Sequence, residues 1–355
     1  MSPKKHFAAA LLKLAAAFSL ALVGRFLLAG PPSQSAPAAE KPVAALSPYI
    51  DLHAHLDPPD VNGAIESLLQ AMAQENLAQA VFMPSPFVNE SPGRFDAELL
   101  APLAQKYPGK VAFLAGGGTL NPMIQQAVLS GDAGPAVQRR FKERAEEILR
   151  LGAKGFGEMT AEHFPSSTPY EYAPADYPLF LLLADVAAEH DVPISLHMEA
   201  VPEDMPLPAD LRSPPNPPRL QANTAAFERL LAHNPRAKIV WAHLGWDNTG
   251  RRTVDLCRRL LQAHANLYME LKIDPVSSGK NSPLSSGGSG TIPPEWLKLM
   301  QDFSDRFVMG TDQHYPLPAS GPQRWQADVL LLNQIPADAR RKIAAENAVR
   351  IYHLR

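Results

Sequence analysis

A single cysteine, Cys257, among 355 residues excludes an internal disulfide and any cysteine-built zinc cluster, so metal chemistry in this chain has to draw on histidine and carboxylates. Cys257 lies in a helical pattern between Leu256 and Arg258, which reads as an inert packed thiol. No run of five basic residues occurs, and 33 basic against 36 acidic side chains leave a formal charge of −3. The electrostatic footprint of a nucleic-acid binder is therefore missing, and a small-molecule substrate suits the chain better. The three glycines at 116–118 lack the lysine and spacing of a phosphate cradle, and no fixed repeat recurs. Association of like chains is left open as homo-oligomer formation.

The sequence also lacks an apolar run long enough to cross a bilayer. Lys13 and Arg25 interrupt the Ala/Leu-rich start and leave only 14–24 clean, short of the ~20 residues a spanning helix needs. Lys4, Lys5 and His6 precede that stretch, and the small-residue pattern Ala36-Pro37-Ala38 follows it. Residues 1–38 thus read as an export leader cleaved after Ala38, with a periplasmic or secreted destination and no membrane insertion of the mature chain; an uncleaved leader acting as an anchor is the alternative. Residues 39–47 read as a linker and 48–355 as one domain.

What is present beyond the leader is alternation. Short apolar, β-branched runs at 49–53, 80–84, 111–115, 155–159, 193–197, 238–243, 267–272 and 306–310 are separated by patterns with apolar residues every three or four positions, at 62–74, 96–107, 136–151, 178–190, 225–233, 251–264 and 294–303. With 46% apolar residues the chain can bury a large core. Eight strands alternating with helices predict an α/β fold, a single-domain (β/α)8 TIM barrel. Proline, 36 in all, is about twice its usual ~5% share and gathers after the fourth and fifth strands, at 166–178 and 202–218. A Ser/Gly-rich insertion at 274–294 follows the seventh. These three long loops would roof the active face of a barrel.

The strand ends carry the chemistry. His53 and His55 alternate with Ala54, so their imidazoles project to one side about 7 Å apart along the chain and can converge on one cation. The fourth strand ends in Glu158, the fifth in His197, the sixth in His243 and the eighth in Asp312. Each alone has a bland reading as a packed histidine, a loop carboxylate or a cap. A closed barrel would bring all of them to one rim.

The order His53-Ala54-His55, Glu158, His197, His243 and Asp312 resembles the amidohydrolase superfamily of metal-dependent (β/α)8 hydrolases. The closing 346–352, Glu-Asn-Ala-Val-Arg-Ile-Tyr, is similar to the C-terminal signature of its amidohydrolase-related (type 2) branch. The resemblance spans about 47–353. It implies ligation by His53, His55, His197 and Asp312, commonly with one Zn²⁺, and a substrate-facing His243. Glu158 departs from that pattern and resembles members that bridge two ions, so one or two divalent ions, and His243 as second ligand or catalytic group, both stay open.

An ion with an open position brings the pKa of water to about 7, which makes water the nucleophile for an amide, ester or lactone bond. Asp312 would then be the general base, and His243 would help polarise the carbonyl. His163, Glu199, Arg212, Trp246 and Tyr315 follow the ligand positions closely and are candidate substrate contacts. The same ligands suit a non-oxidative decarboxylase, for which Arg212 would gain weight, or a non-catalytic protein that keeps its metal for structure.

Overall fold

The computed structural model describes residues 48–57, 59–87, 96–164, 170–212, 216–272, 284, 290–317 and 324–355. The expected leader (1–38), the linker (39–47) and most of the 274–294 insertion lie outside the described residues. Among the described residues no helix is long and apolar enough to cross a membrane.

The strands are β1 (Tyr49–Leu56), β2 (Leu77–Met83), β3 (Val111–Phe113, resuming as Ala115–Gly116), β4 (Phe156–His163), β5 (Pro193–Met198), β6 (Lys238–Leu244), β7 (Leu267–Leu271) and β8 (Phe307–Met309, resuming as Gln313–Tyr315). Two parallel arcs account for them. One runs through Gln313–Tyr315, β1, β2 and Val111–Phe113; the other runs through Phe307–Met309, β7, β6, β5, β4 and Ala115–Gly116. The third and eighth strands belong to both arcs, pairing one neighbour with their first half and the other neighbour with their second. The pairing order is therefore cyclic, and the eight strands close into a TIM barrel as expected.

Helices α1 (Val61–Gln74), α2 (Ala97–Lys106), α3 (Leu120–Ser130), α4 (Pro135–Arg150), α5 (Pro178–Glu189), α6 (Thr224–His233), α7 (Val254–Ala263) and α8 (Pro294–Asp302) fill the crossovers. Their apolar faces meet the outward strand residues in one large core that includes Tyr49, Phe82, Phe156, Trp241 and Phe307. The lumen is a separate layer of Ile50, Leu52, Val81, Met83, Leu114, Val240, Tyr268 and Val308. Its floor is the C-terminal helix, through Ala348, Ile351 and Tyr352. The 346–352 signature is thus a plug for the strand starts.

Helix Arg324–Gln334, after the eighth strand, was not among the expected helices, and two further features differ from the sequence reading. Helix α3 was not among the expected helices; Pro122 in its first turn interrupts the local pattern, yet that turn tolerates a missing N–H, and Gly131 closes the helix in the left-handed region at φ 67°. The fourth strand also runs past its expected end. Glu162 and His163 pair antiparallel with Glu171–Tyr172, so part of the 166–178 loop is a hairpin arm. In the 202–218 loop, Met205–Pro206 likewise pairs antiparallel with Arg219–Leu220 just beyond it.

Candidate metal centre

Three bulges and two left-handed residues aim the functional side chains. In β1, Asp51 pairs with Ala80 and Ala54 with Phe82, so three steps on one strand match two on the next. The extra residue reverses the inside–outside parity: Ile50 and Leu52 face the lumen, and beyond the bulge His53 and His55 face the site. In β4 the same mismatch falls between Phe156 and Met159, and Glu158 turns inward while both of those pack outside. In β6 it falls between Trp241 and Leu244, with His243 at φ 63°. Asp312 sits at φ 52° where β8 breaks between its two halves. Such conformations are costly by about 1–3 kcal/mol for residues other than glycine and gather where function over-determines the backbone.

The result is a compact cluster. His53 Nε2 and His55 Nε2 are 3.1 Å apart. Asp312 Oδ1 is 3.0 Å from His55 Nε2 and 3.9 Å from His53 Nε2, and Glu158 Oε2 is 3.6 Å from each imidazole. Glu158 Oε1 is 2.8 Å from His197 Nδ1 and 2.9 Å from His243 Nε2. Lys272 Nζ and Arg324 Nη1 both reach Asp312 Oδ2, the latter at 2.9 Å. His314 stacks on His55 at 4.6 Å between centroids, and its Nδ1 is 2.9 Å from Asp57 Oδ1.

The donor chemistry fits a divalent ion. The Met83 carbonyl can only accept, so His55 Nδ1 donates to it at 3.0 Å and leaves Nε2 with a lone pair. His53 Nδ1 donates to the Glu270 carboxylate at 3.0 Å, which leaves its Nε2 in the same condition. Two lone pairs 3.1 Å apart, flanked by two carboxylate oxygens, repel unless a positive charge lies between them. The separations of 3.0–3.9 Å also suit tetrahedral ligation, since bonds of about 2.1 Å put ligand atoms about 3.4 Å apart. Two overlapping sets offer ligand atoms within 4.8 Å of one another: His53, His55 and Asp312, and His53, Glu158 and His243.

The ionisation pattern agrees. Burial alone would depress the His53 imidazolium, but the Glu270 and Glu158 carboxylates outweigh it and hold that ring well above its usual range, so the Nε2 lone pair of the neutral ring draws a positive charge, a proton or in its place a divalent ion. Burial opposes ionisation of Glu158, yet His53, His197 and His243 bring it well below the usual carboxylate range. Asp312 is brought down against burial in the same way, by Lys272 and His55. Burial and Lys272 lower His243, and burial lowers His55, so both rings are neutral.

His53, His55, Glu158 and Asp312 therefore converge, and His243 adjoins them. His197 stands one step out, bonded through Nδ1 to Glu158. Of the expected substrate contacts, His163 packs its ring on His197 at 4.8 Å, and Trp246 lies 4.9 Å beneath Lys272 Nζ. The other three are engaged elsewhere. Glu199 accepts from the Asn248 backbone and side chain and ties the loops after β5 and β6 together. Tyr315 is fully buried in the outer core, and Arg212 is exposed beyond the short 3-10 turn Ala209–Leu211. Proximity in sequence to a ligand does not carry a residue into the pocket when the strand pairs at its own edge, as Gln313–Tyr315 does with β1.

Sequence reasoning missed Glu270, Lys272, Asp51, His314 and Arg324. Asp51 accepts from the His53 and Thr311 backbones and from the Thr311 hydroxyl, locking the first strand to the eighth. A signal for Glu270 and Lys272 existed: two charged residues at the end of the apolar run Leu-Tyr-Met-Glu-Leu-Lys.

The amidohydrolase family model matches residues 50–354. Among solved structures, 2,6-dihydroxybenzoate decarboxylase from Rhizobium is 16% identical, covering 87% of this chain and 99% of that one with a TM-score of 0.50. A dihydroxybenzoic acid decarboxylase from Polaromonas with bound manganese is 16% identical, covering 87% and 98% at 0.49. Amidohydrolase 2 from Bifidobacterium longum subsp. infantis is 13% identical, covering 87% and 100% at 0.46. No curated protein matches the chain. The Rhizobium structure shares the fold of this chain. With the match running from the first barrel strand to the C-terminal plug, this chain is an enzyme that belongs to the amidohydrolase family.

Proposed function

We propose that the chain is a metal-dependent hydrolase of an amide, ester or lactone bond in a small molecule. The observation that carries this reading is the convergence of His53 Nε2, His55 Nε2, Asp312 Oδ1 and Glu158 Oε2 at ligand-like separations. His53, His55 and Asp312 would hold the ion, with Glu158 completing the set or bridging to a second ion beside His243; His197 steadies Glu158 through its Nδ1. When bound, Zn²⁺ or a similar divalent ion supplies the Lewis acidity that activates water and polarises a carbonyl. Asp312 would take the proton from water, with Lys272 and Arg324 at Oδ2 fixing the carboxylate plane. His243, beside the cluster with Nε2 2.9 Å from Glu158 Oε1, would help polarise the carbonyl, and His163 and Trp246 would line the substrate pocket.

A second reading, non-oxidative decarboxylation, is favoured by Lys272 and Arg324, two cations beside the cluster that would attract a carboxylate. The sequence of the leader also supports export from the cytoplasm, which N-terminal sequencing of the native protein would check by finding Ala39 first.

The test is metal analysis after expression in metal-replete medium, followed by turnover of a panel of lactones, esters, amides and aromatic acids. Bound divalent metal with hydrolysis is the expected result. Metal with CO₂ release selects the second reading, and absence of metal refutes both.

A further inference from the structure

Glu270 is fully buried, and its carboxylate faces two imidazoles. Both of its oxygens are 3.0 Å from His53 Nδ1, and Oε1 is also 3.6 Å from His243 Nδ1. It lies two residues after lumen-facing Tyr268 in β7 and pairs in register with lumen-facing Val308. Strand alternation alone therefore points it into the barrel, one layer beneath the cluster. A buried carboxylate is tolerated only if its partners repay the desolvation, and the hydrogen-bond partner here is the His53 N–H.

The room for this contact is made by Gly310 in the eighth strand. A Cβ at position 310 would lie 2.5 Å from Glu270 Cδ, 2.7 Å from its Cγ and 2.8 Å from His53 Cβ. Its backbone lies outside the left-handed region, so no turn requires glycine there, and the space alone does. Strands one, seven and eight thus combine to seat one carboxylate against one ring nitrogen.

We infer that Glu270 is a positioning residue: it fixes His53 with hydrogen on Nδ1 and the lone pair of Nε2 aimed at His55 Nε2 and Asp312 Oδ1, and Gly310 is glycine to admit it. The inference rests on the metal reading of the site and adds to it the residue that readies His53 in advance. A carboxylate behind a ligating imidazole raises its basicity and holds its orientation, and losing such a partner typically weakens metal binding 10–100-fold. Glu270 does not touch the substrate, so its effect belongs to metal affinity rather than to the chemical step.

The test uses Zn²⁺ as probe on the chelator-stripped full chain, with Glu270→Gln, which keeps the shape and removes the charge, and Gly310→Ala, which keeps Glu270 and displaces it. Both variants are expected to bind Zn²⁺ about 10–100-fold more weakly than the unaltered chain. In the Zn²⁺-loaded unaltered chain, ¹⁵N-histidine NMR should show His53 protonated at Nδ1, with a strongly downfield proton that moves upfield in Glu270→Gln. Equal Zn²⁺ affinity in Glu270→Gln overturns the inference. So does a His53 protonated at Nε2 in the loaded unaltered chain, a measurement that stands even if neither variant folds. If the unaltered chain itself binds no Zn²⁺ or Mn²⁺, the metal reading fails; if it binds and Glu270→Gln matches it, only the role of Glu270 fails.

Discussion

Replacing Asp312 by Asn tests the site at the point where most of its forces meet. The substitution keeps the shape and an acceptor oxygen but removes the charge that receives Lys272 and Arg324 at Oδ2 and faces His55 at Oδ1. Lys272 is only 6% exposed, so its ammonium is left buried without its anion. Removing one partner of a buried pair costs about 3–5 kcal/mol. The lower end applies here, because the Arg324 side chain is 26% exposed and water can reach the gap. At ~2.1 cal/mol/K per residue over roughly 300 folded residues, a loss of about 3 kcal/mol lowers Tm by about 5 °C. Zn²⁺ at a hundred times its Kd should raise the stability of the unaltered chain by about 2.7 kcal/mol, or about 4 °C, and the variant should lose much of that gain. Turnover should fall by about 10²–10⁴ with the loss of the general base. Thermal melts with and without Zn²⁺, alongside the substrate panel, measure all three. A folded Asn variant with normal kcat refutes the base assignment, and one with the full Zn²⁺ gain refutes ligation by Asp312.

Three further predictions concern residues outside the cluster. Burial, reinforced by neighbouring Glu199, pushes the Glu162 carboxyl up to about 8 from 4.5. The folded chain thus holds one proton more than the unfolded chain between those values, and this group lowers stability as pH rises through that window by up to about 1.4 kcal/mol per unit. Glu162→Gln should flatten the pH dependence of denaturant stability between pH 5 and 8, and parallel curves for the two proteins refute the assignment. Arg252, 2% exposed, donates to the Ala242 and Met198 carbonyls at 2.7 and 2.5 Å and lies 4.2 Å over the Trp241 ring. Arg252→Met should destabilise by about 2–3 kcal/mol in chemical denaturation, Arg252→Lys less, and a change below about 1 kcal/mol contradicts the role. The Cys257 thiol is fully buried and pushed up to about 12 by burial, so a thiol reagent should label the chain only after unfolding; rapid labelling of the native protein would show the helix α7 face to be open.

The barrel and the polar groups at its strand ends were legible because both are carried by local pattern. Apolar runs mark strands whatever surrounds them, and a run that ends in His53, Glu158, His197, His243 or Asp312 announces a polar group where the chain leaves the core. What the pattern could not convey is aim. Simple alternation through β1 would turn either Leu52 or His53 toward the barrel axis, never both; the bulge between Asp51 and Ala54 lets Leu52 pack the lumen and His53 face the site. The same device serves Glu158 in β4 and His243 in β6, and it is set by pairing with neighbouring strands, which no single stretch of sequence records. The misplacements of Glu199 and Tyr315 have the same origin, since each follows a ligand by two or three residues and is then captured by a different neighbour, the Asn248 loop and the outer core. Glu270 shows the converse case. Its position is the one alternation predicts, inward and in register with Val308, and only the partner was hidden, because His53 lies 217 residues away and Gly310 gives no sign in sequence that its missing Cβ is what lets the two meet.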